Sequence, residues 1–409
     1  MKFYRLKELC TDIIDCPHST PKWLDKGIPV IRNYNLNNRG IDTTNLSFVD
    51  EETYVQRIKR AKPEAGDIII SREAPMGVVG MIPENFKCCL GQRLVLLKID
   101  KQKCNPKYLL YSLTSQFVQQ QIKRIDLTGS IVSNLNIPDL KNLLIPVIEK
   151  QQNDCAHLLD LIDSKIELNN KINDELESMA KTIYDYWFLQ FEFPNEEGKP
   201  YKSSGGKMVW NEKLKREIPE GWGIEYLGDI LEKINETVNP DKTNGLPYTP
   251  MDELPIRQMS YSNFKSDEEA NSSLIGYKKK DILFGSMRAY FHRVCIAPFN
   301  GITRTTTFVL KPRLKNTLGY SFETMNLDAT VNYAVRNSIG TQQPYAVWDN
   351  SLEKMPIVKV PLKLKEKYSA IMEPLINKVI MNNLENQEFA SLQDFLLPLL
   401  MNGQVRFKE

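Results

Sequence analysis

Gly66-Asp67-Ile68-Ile69-Ile70-Ser71-Arg72 in the first half of the chain has a counterpart in Lys280-Asp281-Ile282-Leu283-Phe284-Gly285-Ser286-Met287-Arg288 in the second. Each is an apolar run of strand length, entered through an aspartate and left through serine and arginine. Outward from there, Phe3-Tyr4-Arg5-Leu6-Lys7-Glu8-Leu9 runs beside Ile224-Glu225-Tyr226-Leu227-Gly228-Asp229-Ile230, and Leu127-Thr128-Gly129-Ser130 beside Ser338-Ile339-Gly340-Thr341. Asp139 and Pro146 keep step with Asp349 and Pro356. The common order of these landmarks, at an offset of roughly 210 residues, is the mark of internal duplication. A period of that size belongs to a domain and excludes the short units of a solenoid.

Each copy closes in a helical stripe. Cys155, Leu159, Ile162, Ile166, Ile172, Leu176, Met179, Ile183 and Trp187 recur at steps mostly of three and four, without proline or glycine until Pro194. A helix of about 40 residues rises ~60 Å, longer than a globular core needs, so it is expected to pack lengthwise on a partner helix. Asn169 falls on the seam, where a polar residue fixes register at some cost in stability. The second stripe holds Leu364, Tyr368, Ile371, Leu375 and Val379, then Phe389, Leu392, Leu396 and Leu400. Pro374 should kink or split it, and Gly403 should end it. Ile162, Ile166, Leu176, Ile183, Trp187, Leu375, Val379, Leu392 and Leu396 are the candidate contacts with other helices or subunits.

Outside the stripes the period is that of strands. Ile28–Ile31, Asp67–Ser71, Val78–Ile82 and Leu94–Ile99 read as strands between turn signals, and Pro106–Arg124 reads as a helix. The expected class is therefore α+β. A first domain spans 1–148, a central long helix 149–191, a connector 192–221, a second domain 222–361 and a distal helix 362–403. The connector is rich in Pro, Gly and Ser, although Tyr201, Met208 and Trp210 suggest that it is tacked onto a surface.

The 409 residues are enough for two or three domains, and 53 Lys and Arg against 51 Asp and Glu leave a net charge of only +2. A nucleic-acid binder of this composition must concentrate its basic residues locally. One stretch does: Lys278, Lys279, Lys280, Arg288, Arg293, Arg304, Lys311, Arg313 and Lys315 face only Asp281. Seven cysteines without a C-x-x-C spacing support neither a zinc ribbon nor a disulfide framework, and read as reduced thiols of a cytoplasmic protein. The beginning of the chain lacks the apolar core of a signal peptide, and no apolar run reaches the ~18 residues of a membrane span.

The connector carries a resemblance. Phe191-Glu192-Phe193-Pro194-Asn195-Glu196-Glu197-Gly198-Lys199-Pro200-Tyr201-Lys202-Ser203-Ser204-Gly205-Gly206-Lys207-Met208-Val209-Trp210 is followed by Ile218-Pro219-Glu220-Gly221-Trp222 and Leu227-Gly228-Asp229-Ile230. This string resembles the central junction of specificity subunits of type I restriction-modification systems. Gly66-Asp67, Leu127-Thr128-Gly129-Ser130, and Ile145-Pro146 with Glu149-Lys150-Gln151 resemble the end of a target-recognition domain in the same family. Three features depart from that pattern. The first half lacks the Ile-Pro-x-Gly-Trp lead-in, Lys365-Glu366-Lys367-Tyr368 stands where a glutamine is usual, and Pro374 interrupts the distal helix.

The resemblance implies two target-recognition domains about a pseudo-twofold axis, held apart by two antiparallel coiled-coil helices, each reading half of a bipartite double-stranded DNA site. It also implies two methyltransferase subunits that bind S-adenosylmethionine, and restriction subunits that use ATP and Mg. None of these cofactors is expected on this chain. The residues agree: Asn105-Pro106-Lys107 lacks the second proline and aromatic of a methyltransferase motif, and no Walker A loop is present. Asp163-Ser164-Lys165, the one triplet resembling a nuclease motif, lies on a helix face, and His18, His157 and His292 lack ligand spacing. The chain is expected to be a non-catalytic subunit.

Base reading asks for Arg toward guanine and Asn or Gln toward adenine, with Lys and Ser/Thr on phosphates. The first domain offers Ser19, Thr20, Arg32, Asn33, Asn35, Arg39, Arg72, Gln92, Arg93 and Ser130. The second offers Arg288, Tyr290, His292, Arg293, Arg304, Thr305, Gln342, Gln343 and Tyr345. Two other functions stay open on sequence: a protein-binding coiled-coil scaffold, and a stand-alone nuclease or methyltransferase.

Overall fold

In the computed structural model all residues are described except 38, 74, 129–133, 271, 272, 406, 408 and 409, with backbone alone at 127, 128 and 242. The chain divides into two compact units, Met1–Ser164 with Ala390–Glu409, and Lys165–Phe389. Each contains one domain, and the two domains repeat one topology.

In the first unit a four-stranded antiparallel sheet runs in the order Cys10–Asp15, Leu94–Ile99, Ile68–Ser71, Val79–Met81. In the second the order is Leu231–Ile234, Thr307–Pro312, Ile282–Gly285, Val294–Ile296. The apolar runs are continuous because both faces are covered. Ile68 and Ile70 enter one core with Val95 and Leu97, while Ile69 enters another with Leu94 and Leu96. The second domain splits Ile282, Phe284 and Leu310 from Leu283 and Val309 in the same way. Period-two alternation thus survives as a division between two cores.

The aspartates that enter these strands close matching turns. The Glu64 amide donates to Asp67 at 2.8 Å and the Lys278 amide to Asp281 at 2.7 Å. A left-handed residue precedes each, Gly66 at φ 84° and Lys280 at φ 74°. Both domains also pair their first strand with their last: Lys2–Arg5 with Leu144–Val147, and Gly223–Tyr226 with Pro356–Lys359. The outer sheets have diverged. Ile28–Ile31 is antiparallel to Ser47–Val49 and parallel to Cys89–Leu90, whereas Leu274–Tyr277 is antiparallel to both neighbours. The single helix expected over 106–124 is two, Pro106–Thr114 and Gln116–Thr128, broken where Ser115 turns extended and its hydroxyl donates to the Ser112 carbonyl at 2.6 Å.

The long helices are Gln152–Tyr184, continued by a π-helical turn Asp185–Leu189, and Leu362–Met401. They run antiparallel. In the second unit Asn169 donates to Glu385 and Asn386 at 2.7 and 2.9 Å, Asn173 donates to Asn383 at 2.9 Å, and Asn382 donates to Asn173 at 2.8 Å. In the first unit Gln393 donates to Asp163 at 2.8 Å. Asn169, Asn173 and Asn382 are all buried, so the seam has a polar layer broader than Asn169 alone.

Pro374 does not split the distal helix, which continues through it. A proline there removes one helical bond, at roughly 3 kcal/mol. Burial of Tyr368, Met372, Ile376, Val379 and Ile380 on both sides of it outweighs that cost. Two positions of the expected stripe miss the seam: Ile371 is 38% exposed beside the buried Met372, and Leu392 is 44% exposed beside the buried Gln393, whereas Tyr368, Val379 and Leu400 are buried. Of the candidate contacts between subunits, Ile162, Trp187 and Val379 are buried within this chain, and Leu176, Ile183 and Leu375 pack against the same core as Trp187 and Val379. Ile166 and Leu396 are half-buried.

The connector is tacked down through Phe193, which stacks on Tyr201 at 4.7 Å and on Trp222 at 4.9 Å. It contains a hairpin, Met208–Asn211 with Arg216–Pro219. Met208 packs against the core, but Trp210 stays 58% exposed.

Candidate nucleic-acid interface

In the second domain the strand Ile282–Gly285 runs out into the segment 286–292, and the backbone ties this segment to two others. The Ser286 amide donates to Thr306 and the Ala346 amide to Ser286, each at 2.8 Å; the Arg288 amide donates to Pro344 at 2.7 Å. Loops 286–292, 304–306 and 338–346 are therefore one surface. The first domain repeats the frame. The Arg72 amide donates to Arg93 at 2.8 Å, and the Leu135 amide donates to Arg72 at 2.9 Å.

The side chains on the two frames differ. Arg288 is half-buried, and among the described residues its guanidinium has no hydrogen-bond or ion-pair partner. Arg304, Thr305, Gln342, Gln343, Tyr290 and Tyr345 are exposed on the same loops. These residues can offer donors, acceptors and aromatic faces to a large ligand. Two candidates are engaged within the chain. His292 is buried, with Nε2 2.9 Å from both oxygens of Asn326 and Nδ1 3.3 Å from Asp328. The Arg293 guanidinium donates to the Asp252 and Leu254 carbonyls. Both hold the loops in place: the His292 ring is enclosed, and the half-buried Arg293 is tied down through Nη1.

In the first domain most of the arginines are engaged internally. Arg72 Nη1 donates to both Asp15 oxygens at 2.9 and 2.8 Å, Nε to the Leu135 carbonyl at 3.0 Å and Nη2 to Asn134 at 3.2 Å. Arg39 lies 3.3 Å from Asp163, donates to Gln393 and sits over the Tyr111 ring. Asn35 is fully buried and donates to the Asp42 and Asn45 carbonyls. Arg72, Arg39 and Asn35 build the domain and its contact with the helices, so their polar groups are taken up within the chain. Asn33 donates to the Glu73 carbonyl at 2.7 Å, and Gln92 to the His18 carbonyl and the Thr20 hydroxyl. Arg32 lies 4.9 Å over both Trp23 and Tyr34, and Arg93 pairs with Glu73 at 3.0 Å while remaining exposed. Ser19 and Thr20 are exposed. Ser130 lies outside the described residues.

Residues that the sequence reading passed over are exposed and apolar: Trp23, Phe291 and Ile339. Phe291 had a signal, since it adjoins Tyr290 between two arginines.

A catalytic centre finds no support. Burial pushes the thiols of Cys10, Cys88 and Cys104 up to about 12 and those of Cys89 and Cys155 up to about 11, so none is a nucleophile near neutrality. Among the described residues no cluster of His, Cys, Asp or Glu could hold a metal ion. Asp163, from the nuclease-like triplet, instead binds Arg39, Gln393 and the Tyr111 hydroxyl at 2.7 Å.

Comparison with known proteins gives a consistent result. Residues 1–178 match the type I restriction modification DNA specificity domain. The type I restriction enzyme MjaIX specificity subunit of Methanocaldococcus jannaschii is 27% identical over 357 residues, covering 84% of this chain and 78% of that protein. The type I restriction enzyme HindI specificity subunit of Haemophilus influenzae is 19% identical over 404 residues, covering 83% and 86%. In fold, the chain is similar to the crystal structure of the S subunit of a type I restriction-modification system from M. genitalium, with a TM-score of 0.57 and 17% identity over 98% of this chain and 95% of that one.

Proposed function

We propose that this chain, which belongs to the type I restriction-modification DNA specificity subunits, reads a bipartite double-stranded DNA site with one domain on each half, while its helix pair sets the unspecified gap. It is the non-catalytic subunit. The observation that carries the reading is the repeated three-loop frame, built on Ser286 in one domain and on Arg72 in the other. Two look-alike frames at the same strand end suit a site made of two half-sites. The length of the two helices, 33 and 40 residues, and their matched polar partners support a spacer of fixed span.

The methyl donor, ATP and Mg belong in this proposal to partner subunits: two methyltransferase subunits and the restriction subunits. Leu168, Met179 and Met381 are large apolar residues left exposed on the helices and would suit such docking. Among the described residues no helix is long and apolar enough to cross a membrane, and a cytoplasmic complex fits the proposal.

The test follows from the helix register. Asn170 pairs with Asn386 and Asn169 with Glu385 and Asn386, while Asn173 pairs with Asn382 and Asn383, so four residues inserted after Asn170 and four before Glu385 add about one turn, ~6 Å, and keep both sets of partners matched. Methylation mapping of the co-expressed complex should then show a gap wider by one or two base pairs with both half-sites unchanged, at ~3.4 Å per base pair. A changed half-site with an unchanged gap would defeat the proposal.

A further inference from the structure

The turn Ala289–Phe291 stands between two left-handed residues, Arg288 at φ 51° and His292 at φ 55°. Neither is glycine, so the backbone is strained there and persists only because its surroundings fix it. They do: His292 is locked on Asn326, Ala289 is buried, and the Arg288 amide is held by Pro344. This fixed turn presents Tyr290 and Phe291 to water, 53% and 40% exposed, with ring centroids 4.8 Å apart. Met287 bridges to Tyr345, which bridges to Ile339, and these two are 47% and 55% exposed. Four large apolar side chains thus stand on loops that contain no Asp or Glu in 286–292, 304–306 or 336–346.

Resting on the reading of this chain as a DNA specificity subunit, we infer that Tyr290 and Phe291 form a wedge that enters a base step of the half-site read by the second domain and partly unstacks it. Aromatic faces exposed on a rigid turn gain by stacking on bases, and wedges of this kind kink a duplex. Asp328 stands against His292, but these loops themselves carry no acid, and Arg288 has no partner among the described residues, which suits a phosphate-bearing partner better than an apolar protein surface. Rigidity is what lets the turn push bases apart without folding back. The corresponding segment of the first domain, 72–78, contains no aromatic residue, so the distortion is confined to one half-site.

The complex of the full chain with its co-expressed methyltransferase subunits is bound to duplexes carrying 2-aminopurine at successive positions of each half-site, the methylated adenines excepted. The half-site of the second domain is the one whose methylation pattern degenerates in Arg288→Ala. Fluorescence should rise severalfold at one step of that half-site and at none of the other. The double variant Tyr290→Ala, Phe291→Ala should lose the rise and about tenfold or more in affinity, whereas Tyr290→Phe should keep both. Unchanged thermal unfolding and unchanged reading of the first half-site would show the variants to be folded. The wedge is overturned if no position brightens while the bipartite sequence is still methylated, or if the alanine variant keeps its rise. It is also overturned if that variant loses its methyltransferase subunits instead, since the patch would then be a protein contact. Failure of the complex to select any sequence would instead sink the specificity reading beneath it.

Discussion

Arg72 of the first domain and Ser286 of the second hold the same place in their loop frames, yet one is a guanidinium engaged on all sides and the other a small hydroxyl. Arg72 ties Asp15, Asn134 and the Leu135 carbonyl together. Ser286 donates to the Thr306 carbonyl at 2.7 Å, and the guanidinium two residues on has no partner among the described residues. Duplication has preserved the frame and freed the side chains on it. On the proposed function, an arginine in these loops is free to meet DNA only where the protein itself does not already satisfy it.

The largest effect expected from this contrast is on stability. Arg72→Ala removes the bidentate partner of the half-buried Asp15 carboxylate, leaving it only the exposed His18 at 3.2 Å, and should cost the first domain about 3 kcal/mol in chemical denaturation. Ser286→Ala should cost the second about 1 kcal/mol. Equal losses would break the comparison.

The next effect separates the domains by pH. Burial, with Glu177 and Asp185 nearby, pushes the Glu323 carboxyl up to about 8 from an ordinary value near 4.5, Lys181 opposing. The folded state therefore favours the protonated acid. Its stabilising contribution is complete below pH ~4.5 and is lost as pH climbs through about 8, a decline on the order of 2–4 kcal/mol for the second unit. Glu323→Gln should flatten it, and a stability curve that keeps its slope would remove this carboxyl as the cause.

Recognition comes third. Arg288→Ala should weaken binding at the second half-site by about 1–3 kcal/mol without moving the unfolding midpoint. An equal loss on every sequence, with a shallower salt dependence, would make it a phosphate contact. The smallest effect lies in the helix pair. Asn173→Ala strands Asn382 and Asn383 and should cost about 1–2 kcal/mol while leaving both half-sites intact.

Much of the architecture was legible in the sequence. The strands at Ile28–Ile31 and Leu94–Ile99 fall where their β-rich runs place them, and the duplication was visible in Asp67 and Asp281, which close equivalent turns. Two errors have physical causes. A 3.6-residue period counted in threes and fours leaves each step open by one residue, which put Ile371 on the seam in place of Met372, while Tyr368, Leu375 and Val379 do pack there. Pro374 carries a local cost that tertiary burial overrides. In the site, residue types were legible but their partners were not. Arg72 is satisfied by Asp15 and Leu135, 57 and 63 residues away, and no local pattern announces such a bond.

The central claim, that each domain reads its own half-site, is tested most directly by mapping methylated sequences for the complex carrying Arg288→Ala with Gln343→Ala. One half of the bipartite sequence should degenerate while the other half and the gap stay as they were. Degeneration of both halves together, or of neither, would contradict it.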